Sequence, residues 1–225
     1  RFGATRHDYE NLARIITNRV ELPMSLENVF RYLVLLPQKH ELGMGAANRY
    51  YGKTLDGRFI YRGIEIRRRD TAPYVVRVQK DVIKDLLEHD SAEDVITDGV
   101  EQAQKVLDLA CLRIREGRVS PEELQITTTL RRRPSEYKVK LPHVSVAEAL
   151  GMAKIRVEER TPIEYVYVNA GQSNRFRRVR PALYHGNVDA NKYMDLVMEA
   201  GRSVLLVFET DLNAGSGKQL CLTEF

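Results

Sequence analysis

The chain has 225 residues, of which 43% are hydrophobic and 29% charged, with a formal net charge of +4. That length allows one or two globular domains, and that balance of apolar and charged residues excludes a disordered chain. No apolar run approaches the roughly 20 residues of a membrane helix, and two cysteines, Cys111 and Cys221, are too few for a disulfide framework and point to a reducing, cytoplasmic setting.

The first predicted element is a helix over His7–Asn18, with Leu12, Ala13, Ile15 and Ile16 on one face and Asp8 as a cap. Asn28–Leu36 reads as a buried strand. Arg49–Thr54 and Arg58–Ile66 are β-prone segments flanking Leu55-Asp56-Gly57, and Asp-Gly between two such runs signals a hairpin. Three strands do not close a sheet, so this part is expected to pair with strands that the chain does not contain. Beyond Arg69 the pattern turns helical. Asp70-Thr71 are expected to cap a helix with Pro73 in its first turn and Val75, Val78, Val82, Ile83 and Leu86 along one face. Ser91–Asp94 resembles a capping box opening a long helix that runs to Gly117. A short turn at Ser120–Glu123, a helix over Ser145–Lys154, a strand over Ile163–Val168 and an amphipathic helix over Asp189–Phe208 follow. Ala214–Gly217 reads as a flexible linker.

The basic residues are clustered. Arg67–Arg69, Arg131–Arg133 and the group Arg175, Arg177, Arg178 and Arg180 form three blocks. Any one block fits a solvated face, but three together point to phosphate binding. Catalytic patterns are missing. No two carboxylates have the Asp-x-Asp spacing of two-metal phosphoryl transfer, and Glu209-Thr210-Asp211 reads as a solvated cap after a helix end. The five histidines, His7, His40, His89, His143 and His185, are scattered and have no zinc spacing. Gly215-Ser216-Gly217-Lys218 fails as a phosphate loop, because Leu212 stands where the first Gly belongs and Gln219 where Ser or Thr should hold the metal. From the residues alone this is a basic α+β binding protein with no catalytic residues and no metal ligands.

Ala47-Asn48-Arg49-Tyr50-Tyr51-Gly52, then Asp56-Gly57, then Arg62-Gly63-Ile64-Glu65-Ile66-Arg67-Arg68-Arg69-Asp70 resembles the end of the palm in archaeal family B DNA polymerases. There a Lys-x-Tyr strand and a hairpin precede an Arg-Gly-(apolar)-Glu-(apolar)-x-Arg-Arg-Asp run that leads into the thumb. Glu136-Tyr137-Lys138, Pro142–Ala147 and Ile163-Glu164-Tyr165-Val166 look like thumb segments of that family, in the family's order. The resemblance implies an α+β fold: a partial palm over 1–69, completed by a partner chain, a mainly helical thumb over 70–213, and a linker and tail over 214–225. It implies the small subunit of a split DNA-directed DNA polymerase. A C-terminal fragment of a one-chain enzyme and a stand-alone DNA-binding module are the alternatives.

The resemblance also implies roles. Arg68, Arg69, Arg131 and Lys138 would meet DNA phosphates, with Asp70 orienting the arginines and His143 as a further donor. Tyr50 would lie in the minor groove. Asn48 stands where the family has Lys, which removes a charge from that contact, and Arg49 is the neighbouring substitute. Thr128 and Thr129 occupy a stretch where relatives often carry a basic residue. Gln219, Leu222 and Phe225 fit Gln-x-x-(aliphatic)-x-x-(aromatic), which looks like a sliding-clamp-binding peptide. The partners implied are a large catalytic subunit, primer–template DNA and the clamp, with no membrane. No cofactor is expected on this chain; Mg2+ is expected in the assembled enzyme, on the partner's carboxylates.

Overall fold

The computed structural model describes residues 4–38, 45–182 and 186–212, the last four without their side chains. They group into two units: Arg1–Gly63, Ile83–Val100 and Leu205–Phe225 in one, Ile64–Val82 and Glu101–Val204 in the other.

In the first unit, helix α1 (Arg6–Val20) is capped by Thr5 rather than by Asp8. Asp8 is the reciprocal partner, taking the Thr5 N–H at 2.7 Å while its own N–H donates to Thr5 Oγ1 at 3.3 Å. None of the residues of α1 is buried, and Leu12 and Ile15 are 50% and 59% exposed. Strands β1 (Phe30–Pro37), β2 (Gly45–Thr54) and β3 (Phe59–Arg62) form an antiparallel sheet in that order. β1 alternates buried and half-buried positions, with Tyr32, Val34 and Leu36 buried, as a strand with one covered face should. The β2–β3 turn is the Asp-Gly turn expected: Gly57 takes φ +82°, and the Thr54 hydroxyl accepts from Arg58 N at 2.9 Å. The second arm stops at Arg62, short of Ile66, because Gly63 turns the chain at φ +64° and Glu65–Arg67 coil into a 3-10 turn.

Helix α2 (Pro73–Leu87) begins with Pro at its first position. Asp70 and Thr71 lie too far upstream to cap it, and the Asp70 carboxylate is engaged by Arg68 instead. The long helix expected from Ser91 to Gly117 is broken into α3 (Ala92–Asp94), a π-helical turn (Val95–Gly99) and α4 (Val100–Arg115). Ser91 caps it by accepting from Asp94 N at 3.1 Å.

The second unit holds a sheet of which the sequence reading foresees only the middle strand. β4 (Ile126–Thr129), β5 (Pro162–Tyr167) and β6 (Val179–Pro181) are antiparallel in that order. α5 (Pro121–Leu124) has a two-sided capping box between Ser120 and Glu123. α6 (Pro142–Met152) starts earlier than the expected Ser145 and buries His143 through Ala147, and α7 (Arg175–Arg178) is a single turn before β6. α8 (Ala190–Leu212) is capped by Asp189, which accepts from Lys192 N at 3.0 Å. It continues through Glu209-Thr210-Asp211, which therefore lie within the helix and do not follow its end. Gly201 lets α8 approach α4, since a Cβ there would stand 2.4 Å from Leu107 Cδ2.

Candidate nucleic-acid interface

The first group of expected site residues sits on β2. Tyr50 pairs across to Leu35 and to Arg62, and its ring meets Phe30 edge-on at 6.3 Å. Tyr51, pointing to the opposite face, is fully buried, so strand alternation leaves Asn48 and Tyr50 on the other face. Asn48 is exposed and Tyr50 half-buried. Arg49 is tied to the sheet: its guanidinium donates to Gly63 O and Pro37 O, both at 3.4 Å. Its fork bridges the ends of the neighbouring strands.

The second group lies in the other unit. Arg68 and Asp70 form a two-pronged pair, Nε to Oδ1 and NH2 to Oδ2, each 3.1 Å. That pair holds the Asp70 carboxyl below the usual carboxylate range and raises the arginine further. A groove of about 730 Å³ runs beside it, lined by Arg69, Asp70, the Thr127–Arg131 stretch, Glu159 and Arg160. The fold thus brings the first and second arginine blocks together although they are far apart in the sequence. Arg131 reaches the groove from the end of β4, since the chain passes from Thr129 through Leu130 into Arg131. Among the described residues, the guanidinium groups of Arg69 and Arg131 have no carboxylate within ion-pair distance. Lys138 is exposed.

His143 is 8% exposed in the first turn of α6. Its ring packs edge-on against Tyr137 at 5.9 Å. Burial pushes its pKa down, opposed by the Asp70 charge, so at neutral pH it is an uncharged imidazole.

Three members of the third arginine block are turned to scaffolding, while Arg177 is exposed. Arg175 pairs with Glu148 at 2.7 Å, and Glu148 also takes Lys140 at 2.8 Å. Arg178 donates to the carbonyls of Gln172 and Ser173, and Arg180 to that of Phe176. These side chains shape the loop between β5 and β6.

A buried polar cluster supports the basic segment, and the sequence reading misses it. Gln79 is fully buried. Its amide oxygen accepts from Ile66 N at 2.9 Å, and its nitrogen donates to Glu65 Oε2 at 2.7 Å and to Ala200 O at 2.8 Å. Ser203 adds a second donor to the same Glu65 oxygen at 2.9 Å. The signal in the sequence is a glutamine at helical spacing within the apolar stripe of Val75, Val78, Val82 and Leu86.

Among the described residues no group of three or more His, Cys, Asp or Glu side chains is placed to hold a metal ion. No helix among them is long and apolar enough to cross a membrane. Gln219, Leu222 and Phe225, with the linker before them, lie outside the described residues.

Fold and site define an α+β module with an arginine-lined groove. The profile of the family described as DNA polymerase family B matches residues 6–205, and the chain belongs to that family. It is 28% identical over 222 residues to DNA polymerase 2 of Aeropyrum pernix, covering 96% of this chain and 25% of that protein. To the DNA polymerase of Archaeoglobus fulgidus it is 28% identical over 179 residues, 80% of this chain and 21% of that one. The structure of the family B DNA polymerase from the archaeon Pyrobaculum calidifontis shares the fold with a TM-score of 0.64 at 20% identity, over 96% of this chain and 25% of that one. The chain therefore spans between 21% and 25% of the length of these relatives.

Proposed function

We propose that this chain is the DNA-gripping portion of a family B DNA polymerase, with 1–69 completing the palm, 70–213 forming the thumb and 214–225 reaching a sliding clamp. In this reading it is the small subunit beside a large subunit that carries the catalytic carboxylates and their Mg2+. The observation that carries the reading is the groove that gathers Arg69 and Arg131 beside the Arg68–Asp70 fork. A polymerase must hold any sequence, so its grip falls on the phosphate backbone, and planar guanidinium forks suit phosphate oxygens. Asp70 spends its charge on Arg68 and so fixes one fork beside the groove. The uncovered apolar face of α1 supports a partner for the first unit.

The test is duplex binding by the full chain across a salt series. Log affinity should fall with log salt at about −0.9 per phosphate neutralised. Arg68→Ala and Arg69→Ala should each flatten that slope by roughly one unit on every sequence alike. Loss confined to particular sequences, or an unchanged slope in both variants, would refute backbone gripping.

A further inference from the structure

Arg160 is the basic residue of the groove that no sequence motif singles out. It follows Glu158 and Glu159 in a four-residue turn, closed by Thr161 N donating to Glu158 O at 3.3 Å and Glu158 N donating to Thr161 Oγ1 at 3.1 Å. Arg160 occupies the third position of that turn with φ +66°. Glycine or asparagine serves best at such a position, because a branched-off Cβ crowds the backbone there. The turn is nevertheless held firmly: Arg160 N donates to Leu130 O at 2.9 Å, and Leu130 N to Thr161 O at 3.0 Å. These two bonds extend the β4–β5 pairing and set Arg160 across from the residue that precedes Arg131.

The side chain does not explain the residue's presence through packing. Arg160 is exposed, and among the described residues no carboxylate lies within ion-pair distance of it. What the side chain does is line the groove with Arg69 and Arg131. Strained backbone kept without a packing reward is commonest where a side chain serves a ligand.

We propose that Arg160 is a third phosphate contact of this groove, taking the backbone of duplex DNA together with Arg69 and Arg131. This inference rests on the DNA-gripping reading above. Three cations on two strand ends and the segment before α2 would then meet one strand of the duplex. The threonines of β4, Thr127–Thr129, offer neutral hydroxyls between them.

The experiment compares the wild-type chain with Arg160→Gly, Arg160→Asn and Arg160→Lys, using a primer–template duplex of arbitrary sequence over a salt series, with thermal melting in parallel. Glycine and asparagine both accept positive φ, so these variants should melt at or above the wild-type temperature. Both should reduce the salt slope by about 0.9 and, at 0.1 M salt, weaken binding about eightfold, the factor such a slope implies. Arg160→Lys should keep the slope. If Arg160→Gly and Arg160→Asn bind with wild-type affinity and slope, the contact does not exist. A loss of affinity with the slope unchanged would likewise overturn it, since the role would not be electrostatic. If the wild-type chain itself fails to bind duplex, the DNA-gripping reading falls and this inference falls with it.

Discussion

Gly63 shows how narrowly one residue can fix the end of a strand. It ends β3 at φ +64°, and a Cβ there would stand 2.1 Å from the carbonyl oxygen of Asn48. Two separate penalties meet at this position: a conformation that L residues avoid and a backbone atom that cannot give way. Gly63→Ala should therefore destabilise the chain by about 2 kcal/mol or more, read from urea unfolding; a change within a few tenths of a kcal/mol would show that β2 and the turn can separate freely. Gly57, whose added Cβ would meet nothing within 4 Å, is the control, because only the conformational penalty applies there. His143 gives a residue-scale prediction of another kind. Burial lowers its pKa, so the unfolded chain, with an ordinary histidine pKa near 6.5, binds the proton more readily than the folded chain does. The stability tied to neutral His143 is present above about pH 6.5 and is lost as pH falls from there through the lowered folded value. His143→Gln should show a shallower loss of urea midpoint between pH 7.5 and 5.0 than the wild type. Parallel pH curves would mean that the folded imidazole titrates normally.

Among the elements, the segment from Glu65 to Asp70 depends on helices α2 and α8 through Gln79. That side chain satisfies Ile66 N, Glu65 and the Ala200 carbonyl at once, and Ser203 completes the set. Gln79→Leu keeps the volume but strands the Ile66 N–H and removes one of the two donors to Glu65 Oε2. It should cost about 1–3 kcal/mol, the cost of a polar group left unpaired; denaturant unfolding would measure it, and a loss of only a few tenths of a kcal/mol would mean that water replaces the amide. This cluster also marks how far the sequence can be read. α1, the Asp56-Gly57 turn, α2 and α8 are legible because each carries its own periodicity, cap or turn residue. β4 escapes notice although Ile126 and three threonines are all β-branched, because four residues make too short a run to outweigh their neighbours. β6 offers three residues after an arginine-rich turn, and only its pairing with β5 makes it a strand. The π turn is invisible in the apolar pattern; it ends at Gly99, where a Cβ would lie 2.6 Å from Leu86 O. In the candidate site, Arg68, Arg69, Asp70 and Arg131 stand out by motif and charge, while their gathering beside one groove does not. The inward use of Arg49, Arg175, Arg178 and Arg180 is not legible there, because a guanidinium bound to protein carbonyls or to a carboxylate looks the same in sequence as one facing a phosphate.

For the whole molecule, the governing fact is that the chain matches between 21% and 25% of its relatives' length and that its described residues gather no metal-holding group of carboxylates. On the proposed reading, phosphoryl transfer needs cations between the attacking and leaving oxygens, and the carboxylates that would hold them are assigned to the large subunit. The rigorously purified chain should incorporate no nucleotide on a primed template, and adding a large polypeptide with the remaining polymerase elements should restore extension. Extension by the chain alone would refute the division of labour. Once the assembly is active, deleting Gln219–Phe225 should leave synthesis on short templates unchanged and remove stimulation by a sliding clamp on long ones. The reason lies in the pattern of that tail: a glutamine, an aliphatic and an aromatic residue at single-turn spacing suit one apolar pocket, and burying Leu222 and Phe225 would contribute roughly 3–6 kcal/mol before ordering costs. A micromolar contact of that kind gains strength from tethering on DNA. If the deletion lowers melting temperature and short-template synthesis together, the tail belongs to the folded body of the protein and does not serve a clamp.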